Sequence, residues 1–441
     1  MDNNKRLIKN ILSLGVVQVA NYVLPLVSIP IIVRIIGPQN FGIINYYNSF
    51  TAYFILLINY GFDYSGTRFI AADQDNVLRR NQQFTKILMA KGLLFMVSIV
   101  VFTTSILFIS KSNGETMVAV YTFLIVIAWV LSPNWFYQGM QELTPVAIFN
   151  LVSKTLFTVL ILLMIRKRDD YMLQPLILSL TQIGIALASF LYAIKKFGIV
   201  LKRTSMGAVL KLLWEDRMLF FSMLSTNLYT DTNIVVLGLF ETREHVGYFT
   251  AAWKLIFVFL VLISFPISQA LFPYIANSFA KNINDGLEKI RRILPLIIYF
   301  SLICSAVLYL SSQMLVTGFY GHSFQPAVKI FRILTIVPVL SFINTILGLQ
   351  TMVNLKMDRP YFVIIFSGGI FSIIFNVVML HFYGYTGSAW SWIFAETIIA
   401  ATLWYYLKSR NYNPVKPAGF NPRMVLQEVK LIVTNLKKKV S

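Results

Sequence analysis

The sequence predicts an all-α integral membrane protein of about twelve transmembrane helices, arranged as two six-helix lobes around a central cavity. Three observations carry that prediction. Of 441 residues, 57% are hydrophobic and only 13% charged, against about 25% charge in an ordinary soluble chain. The apolar residues gather into runs of about 20, the length that crosses the hydrocarbon of a bilayer as a helix. The basic residues fall mainly in alternate connections between those runs, so the formal net charge of +20 is a topology signal rather than a nucleic-acid surface. Little chain remains for a soluble domain, and a large extramembrane enzyme is excluded.

Taken in order, the apolar runs span 12–36, 42–63, 87–109, 117–137, 143–165, 172–194, 218–240, 247–273, 293–316, 327–352, 361–382 and 387–407. The first follows Lys5, Arg6 and Lys9 as a secretory signal would. It is too long for a signal's apolar core and has no clear small-residue cleavage site, so it reads as a retained helix. Pro25 and Pro30 interrupt this run, and Pro266 and Pro273 the eighth. Each removes a backbone donor and can kink its helix, which serves either a bent gating helix or ordinary packing.

The longest polar break, from Lys195 to Arg217, divides the chain into a first lobe at 1–195, a linker at 196–217 and a second lobe at 218–408. A basic tail at 409–441 follows and ends on Lys437-Lys438-Lys439, suited to solvent or lipid headgroups. Displacing the chain by 205 residues sets Gly42 against Gly247, and Thr67 through Ala71 against Phe272 through Ala276, a weak internal repeat. Six helices per lobe means that both lobes enter the membrane in the same direction, which is a transporter architecture. With the N-terminus inside, 27 of the 38 Lys and Arg lie on the cytoplasmic side. Only Lys111, Arg166, Lys167, Arg168 and Arg243 lie opposite. Both termini are therefore expected in the cytoplasm.

Catalytic signals are weak. His245, His322 and His381 fall near outer helix ends without metal-ligand spacing. Asp73-Gln74-Asp75 matches the D-x-D pattern that holds a metal and a nucleotide-sugar diphosphate, but no nucleotide-binding domain surrounds it. Neither a phosphate-binding P-loop nor a nucleophile elbow occurs, and Cys304, the single cysteine, permits no intrachain disulfide.

The informative residues are charges inside the apolar runs, each costing about 2.5–3.5 kcal/mol at a helix centre. The cations are Arg34, Lys91, Lys154, Lys254, Lys329 and Arg332; the anions are Asp63, Asp231 and Glu396. Arg34, Lys91, Lys329 and Arg332 lie within two turns of a membrane face and either reach the headgroups or serve function. Lys154, Lys254 and Glu396 lie deeper and are expected to line a polar cavity. Asn150, Lys154 and Thr158 recur every four residues as one polar stripe. The seventh run collects Ser222, Ser225, Thr226, Asn227, Tyr229, Thr230, Asp231, Thr232 and Asn233, as cavity wall or as interhelical glue. The excess of cations over anions suits an anionic substrate such as a pyrophosphate. A sugar chain attached to it would strand many polar groups if it crossed hydrocarbon unaided.

The stretch Ile29-Pro30-Ile31-Ile32-Val33-Arg34-Ile35-Ile36-Gly37-Pro38-Gln39-Asn40-Phe41-Gly42, followed by Gly61 and Thr67-Arg68-Phe69-Ile70-Ala71, resembles the N-terminal signature of the polysaccharide transporters of the MOP superfamily, the Wzx-type flippases. The second half is similar to the corresponding pattern at Asp231 through Gly238, Val246-Gly247-Tyr248, Phe319-Tyr320-Gly321, Arg332-Ile333-Leu334, Asn376 and Gly384 through Ala389. The resemblance implies the two-lobed MATE/MOP-like fold and a cation-rich cavity. It implies passage of undecaprenyl-pyrophosphate-linked oligosaccharide from the cytoplasmic to the periplasmic leaflet of a bacterial inner membrane by alternating access. Some relatives couple this to H+ or Na+; no other cofactor is implied.

Two additional C-terminal helices typical of lipid II flippases are lacking, which favours O-antigen or capsule units. The implied partners are the lipid-linked oligosaccharide, membrane lipid, a glycan polymerase and a chain-length regulator, and not nucleic acid. Arg34 and Arg68 occupy signature positions. With Lys91, Lys154 and Lys254 they form the expected substrate-binding set, while Asp63, Asp231 and Glu396 are the candidates for ion coupling. Two competing readings share some of these features. A MATE-like exporter of cationic drugs would favour an acidic cavity, and a membrane glycan polymerase would carry a long outer loop.

Overall fold

The computed structural model describes the backbone of residues 3–110, 112–424 and 427, and the side chains from Ser28 onward except those of residues 111, 225–230, 418, 425–426 and 428–441. No strand occurs among the described residues. Nine stretches of them are long and apolar enough to cross a bilayer, and they contain eleven of the twelve apolar runs in whole or in part. The run at 218–240 falls outside the nine, with part of it beyond the described side chains. The stretch Asp358–Ser409 has 52 residues, about 78 Å of helix against about 30 Å of hydrocarbon, and therefore holds two crossings.

Apolar side chains face outward as well as inward. The most apolar window of Val77–Ile109 is only 22% buried, and Met96, Val100, Leu107 and Phe108 all stand exposed, Phe108 at 90%. In water such a surface would aggregate; in a bilayer it meets acyl chains.

The chain divides into two compact units, Met1–Gly247 and Tyr248–Ser441. The first begins with α1 (Asn3–Asn59), a helix broken at Gly37, where φ is 77°. Only glycine holds that conformation cheaply, and Pro38 follows it without needing a backbone donor. The first two apolar runs are thus two arms of one element. Gly61, at φ 91°, makes a second break before α2 (Phe62–Ala72). Then come α3 (Val77–Ile109), started by the Asn76 side chain accepting from the Arg79 backbone N–H at 3.1 Å, and α4 (Asn113–Phe123), started likewise by Ser112 and Glu115. Short helices α5 (Ile125–Leu131) and α6 (Asn134–Gly139) flank Ser132-Pro133. Two long helices follow, α7 (Leu143–Met164) and α8 (Leu173–Phe197), and Gly198 at φ 59° ends α8. The unit closes with α9 (Met206–Thr230), α10 (Thr232–Phe240) and the start of α11 (Arg243–Phe259). Gly42 and Gly247 let α1 and α11 touch: a Cβ on Gly42 would collide with the Arg243 carbonyl, and one on Gly247 with the Pro38 carbonyl.

In the second unit α11 passes through one turn of wider i→i+5 helix, Leu260–Ser264, into α12 (Phe265–Lys281). It continues as α13 (Ile283–Leu310), α14 (Ser312–Tyr320), α15 (Ala327–Leu334) and α16 (Val337–Thr345). A second wide segment, Ile346–Met352, precedes α17 (Asp358–Tyr383) and α18 (Gly387–Ser409). Small and hydroxyl residues knit α17 to α18. Ser388 donates to Asn376 Oδ1 at 2.9 Å, Ser391 donates to the Ser372 carbonyl at 3.0 Å, and Gly368 leaves room for Ile399. After α18 the chain folds back. Arg291 donates to the Asn413 carbonyl at 2.8 Å, Tyr299 to the Phe420 carbonyl at 2.8 Å, and Tyr412, Val415 and Phe420 cover the α12–α13 core. Lys437-Lys438-Lys439 lies outside the described residues.

The glycine contact gives a direct prediction. Gly42→Ala destabilises the protein by about 1–3 kcal/mol through overpacking, read as a lower thermal midpoint of the purified protein. Gly92→Ala, where nothing lies within 4 Å of the new Cβ, leaves the midpoint unchanged or raises it slightly.

Candidate functional site

A buried ion pair ties together four helices of the first unit, α1, α4, α10 and α11. Glu115 sits in the first turn of α4, where the helix N-terminus favours a negative charge. Arg243, at the start of α11, places Nη2 2.8 Å from Glu115 Oε2 and Nε 3.1 Å from both carboxylate oxygens. Its Nη1 donates to the Gly238 carbonyl at 2.9 Å, and its guanidinium lies 3.8 Å over the Tyr46 ring. Tyr47 adds a hydroxyl donated to Glu115 Oε2 at 3.1 Å. Both charged side chains are under a tenth exposed. Gly238 is glycine for steric reasons, since a Cβ there would strike Tyr46. The sequence alone gave Arg243 only as a lone cation in an outer connection and passed over Glu115. The two stand 128 residues apart. The one available signal was that both fall in connections assigned to the same side of the membrane.

The charges expected at the site meet different environments. Lys91 is 2% exposed and donates to the Trp129 and Ser132 carbonyls at 2.9 and 3.4 Å, at the C-terminal end of α5. Asp63, half-buried at the start of α2, is within electrostatic reach of it. The void beside Lys91 is only about 10 Å³, so this lysine neither reaches the headgroups nor opens on a substrate-sized space. Arg34 and Arg68 are exposed on α1 and α2. Lys154 is half-buried on α7 beside half-buried Asn150 and buried Thr158, and makes no hydrogen bond or ion pair among the described residues. Asp231 is half-buried between α9 and α10, next to Thr232, which hydrogen-bonds Tyr53. Of its expected polar neighbours, the side chains of Ser225, Thr226, Asn227, Tyr229 and Thr230 lie outside the described residues. Lys329 and Arg332 are exposed, and Arg332 Nε donates to Ser312 Oγ at 2.8 Å.

The second unit contains Lys254 and Glu396. Lys254 is half-buried on α11, beside Trp253, whose ring lies 3.8 Å from that of Trp392. Glu396 on α18 is 4% exposed. Asn344 of α16 donates to its Oε2 at 2.5 Å and to its carbonyl at 3.1 Å, and Trp392 Nε1 donates to Oε1 at 3.3 Å. Neutral donors alone hold it; no cation among the described residues lies within ion-pair distance. Close by, Ser341 and Thr345 of α16 help line a cavity of about 780 Å³. Its walls are mostly apolar, and both wide helical segments contribute to it, through Leu260 and Leu349. Such segments leave backbone carbonyls free of regular pairing and recur at functional sites.

The ion pair is testable by a double-mutant cycle. Glu115→Gln or Arg243→Gln alone costs about 3–5 kcal/mol, because each leaves a buried charge without its partner. The double variant loses less than the sum of the two, measured by denaturant unfolding of purified protein.

Comparison with known proteins fits this architecture. A family model described as polysaccharide biosynthesis protein matches residues 7–279. A protein of Escherichia coli (strain K12) named "Putative O-antigen transporter" is 23% identical over 411 residues, covering 93% of this chain and 99% of the relative. One of the same name from Shigella dysenteriae is 24% identical over 401 residues, covering 89% and 97%. Among solved structures, "Lipid II flippase MurJ, inward closed conformation" superposes with a TM-score of 0.72 at 15% identity, over 96% of this chain and 92% of the other. An inward-facing multidrug resistance MATE family transporter of the MOP superfamily gives 0.68 at 13% identity, over 91% and 98%. These likenesses bear out the all-helical, MOP-type membrane fold expected from the sequence, and by the extent of its family match the chain belongs to the polysaccharide biosynthesis protein family.

Proposed function

We propose that this protein is a flippase for lipid-linked saccharide. It carries undecaprenyl-pyrophosphate-linked O-antigen or capsule repeat units from the cytoplasmic to the periplasmic leaflet of a bacterial inner membrane by alternating access. The observation that carries this reading is the end-to-end match to relatives named as O-antigen transporters, which takes in both compact units. The physical logic agrees. A prenyl tail is already soluble in hydrocarbon, so the protein's task is to shelter the diphosphate and the sugars. Arg34, Arg68, Lys154 and Lys254 are the cations proposed to meet the diphosphate. Lys154, half-buried and without a partner among the described residues, is the residue proposed to meet an incoming anion. Glu396, held among the described residues by neutral donors only, is the proposed carboxylate for H+ or Na+ coupling. The distribution of Lys and Arg supports a cytoplasmic position for both termini, and a glycan polymerase would consume the flipped product.

Three outcomes test this. Deleting the gene in its native host leaves complete repeat units on the cytoplasmic leaflet, found by accessibility to a glycan-cleaving enzyme or an impermeant probe, while surface polymer disappears. Intact surface glycan with reduced drug tolerance would instead indicate an exporter. Lys154→Gln and Lys254→Gln each lower restoration of surface glycan at least about tenfold, the loss expected for one charge-assisted contact, with folded protein at normal abundance. Full activity of both variants would remove the basic path from the account. Glu396→Gln keeps the fold and abolishes the response of transport to an imposed proton or sodium gradient.

A further inference from the structure

The first unit holds a second basic feature, away from Lys154. A cleft of about 500 Å³ opens between the end of α2 and the first turns of α3 and α9. Four cations converge on it from the three helices: Arg68, Arg79, Lys86 and Lys211.

The two carboxylates that share the cleft do not neutralise them. Asp216 is buried and accepts from Ser65 Oγ at 2.6 Å. Burial pushes its carboxyl above the usual range, against the pull of Ser65 and Arg68. Glu215 makes a long 3.9 Å pair with Lys211 in which both side chains are well exposed, and Arg79 pairs with Asp73 at 3.6 Å under similar exposure. Pairs of that kind hold little free energy and exchange readily.

Two cleft residues have no partner among the described residues. Lys86 is half-buried and makes no hydrogen bond or ion pair among the described residues. Gln83 is 5% exposed, and its amide likewise has none. A buried amide and a half-buried ammonium facing the same void are the donor set of an anion site awaiting its anion.

The walls are fixed. Arg80 donates to the Phe197 carbonyl at 2.5 Å and the Lys202 backbone N–H to Thr85 Oγ1 at 3.0 Å, strapping the α8–α9 connection to α3. The surroundings suit a lipid rather than a dissolved ion. Phe69, Ala72, Ala208 and Leu212 give the cleft an apolar side, and Leu78, Met206, Leu210 and Trp214 stand exposed around it. An exposed Trp with Arg217 stacked 3.9 Å over its ring is a typical anchor at the level of lipid headgroups.

We propose that this cleft binds a phosphate-bearing headgroup attached to a lipid, with Arg68, Lys86 and Lys211 on the phosphate oxygens, Gln83 donating its amide, and Arg79 joining when it leaves Asp73. The phosphate belongs either to a bilayer phospholipid or to a prenyl diphosphate. Arg68 is shared with the proposed substrate path, whereas Lys86, Lys211 and Gln83 are not, and the site stands on their geometry.

The test uses the full chain in phosphatidylcholine nanodiscs, with labelling of Lys86 by an amine-reactive reagent followed by mass spectrometry. Farnesyl diphosphate, with farnesol as the uncharged control, probes the prenyl source; nanodiscs mixed with phosphatidylglycerol probe the bilayer source. At least one of the two anions slows Lys86 labelling about fivefold or more, as charge-assisted contacts predict, and farnesol does not. Protection by only one anion assigns the source, and protection by both assigns a site for either. Arg68→Gln with Lys211→Gln abolishes the protection. Both substituted side chains are exposed, so the fold survives, which an unchanged thermal midpoint verifies. Labelling that neither anion slows, or protection that persists in the double variant, overturns the proposal.

Discussion

Hydrocarbon cannot hydrate a polar group, and the structure follows from that constraint. Backbone donors and acceptors must be paired within each crossing segment, so every described element is a helix. Several breaks fall where glycine or proline permits them, at Gly37-Pro38, Gly61 and Gly384. Because lipid is as apolar as leucine, burial of apolar surface no longer drives helix to helix. Small residues and hydroxyls do that work instead, as at Gly42 with Gly247 and at Ser388 with Asn376.

The same constraint sorts the charges that the chain carries into the membrane. Lys91 is satisfied by helix-end carbonyls, and Arg243 and Glu115 satisfy each other together with Tyr47 and Gly238. Each of these groups is paired within the protein. Glu396 has only neutral donors, and Lys154 has no partner among the described residues. A buried charge with its hydrogen bonds filled is structure; one left with unfilled capacity is a site. That distinction separates Lys91 from Lys154 and Glu396, which the sequence could only group together as charges inside apolar runs.

The helices were legible because an apolar run of about 20 residues has few alternatives, and eleven of twelve runs fall in stretches fit to cross a bilayer. The stripe of Asn150, Lys154 and Thr158 was legible because helical spacing is local. What the sequence concealed is long-range. The Arg243–Glu115 pair joins residues 128 apart, and the cleft around Lys86 draws its cations from α2, α3 and α9. Of the two wide helical segments, Leu260–Ser264 ends two residues before Pro266 and so follows a local signal, whereas Ile346–Met352 contains no proline and is hidden. The segment after α18 reads as a polar basic tail, yet Tyr412, Val415 and Phe420 give it an apolar side that docks on the core. Three scattered apolar residues are too sparse a signal to show this without the surface they meet.

The central claim is movement of a lipid-linked saccharide between leaflets, and reconstitution tests it most directly. Purified protein is placed in proteoliposomes carrying a fluorescent prenyl-diphosphate-linked oligosaccharide, and a membrane-impermeant quencher or glycan-cleaving enzyme reports the fraction on the outer leaflet with time. The account predicts that protein-containing vesicles equilibrate the label across the bilayer far faster than empty ones, and that Lys154→Gln slows them toward the empty-vesicle rate. Equal rates with and without protein, under imposed proton and sodium gradients as well as without them, would contradict it.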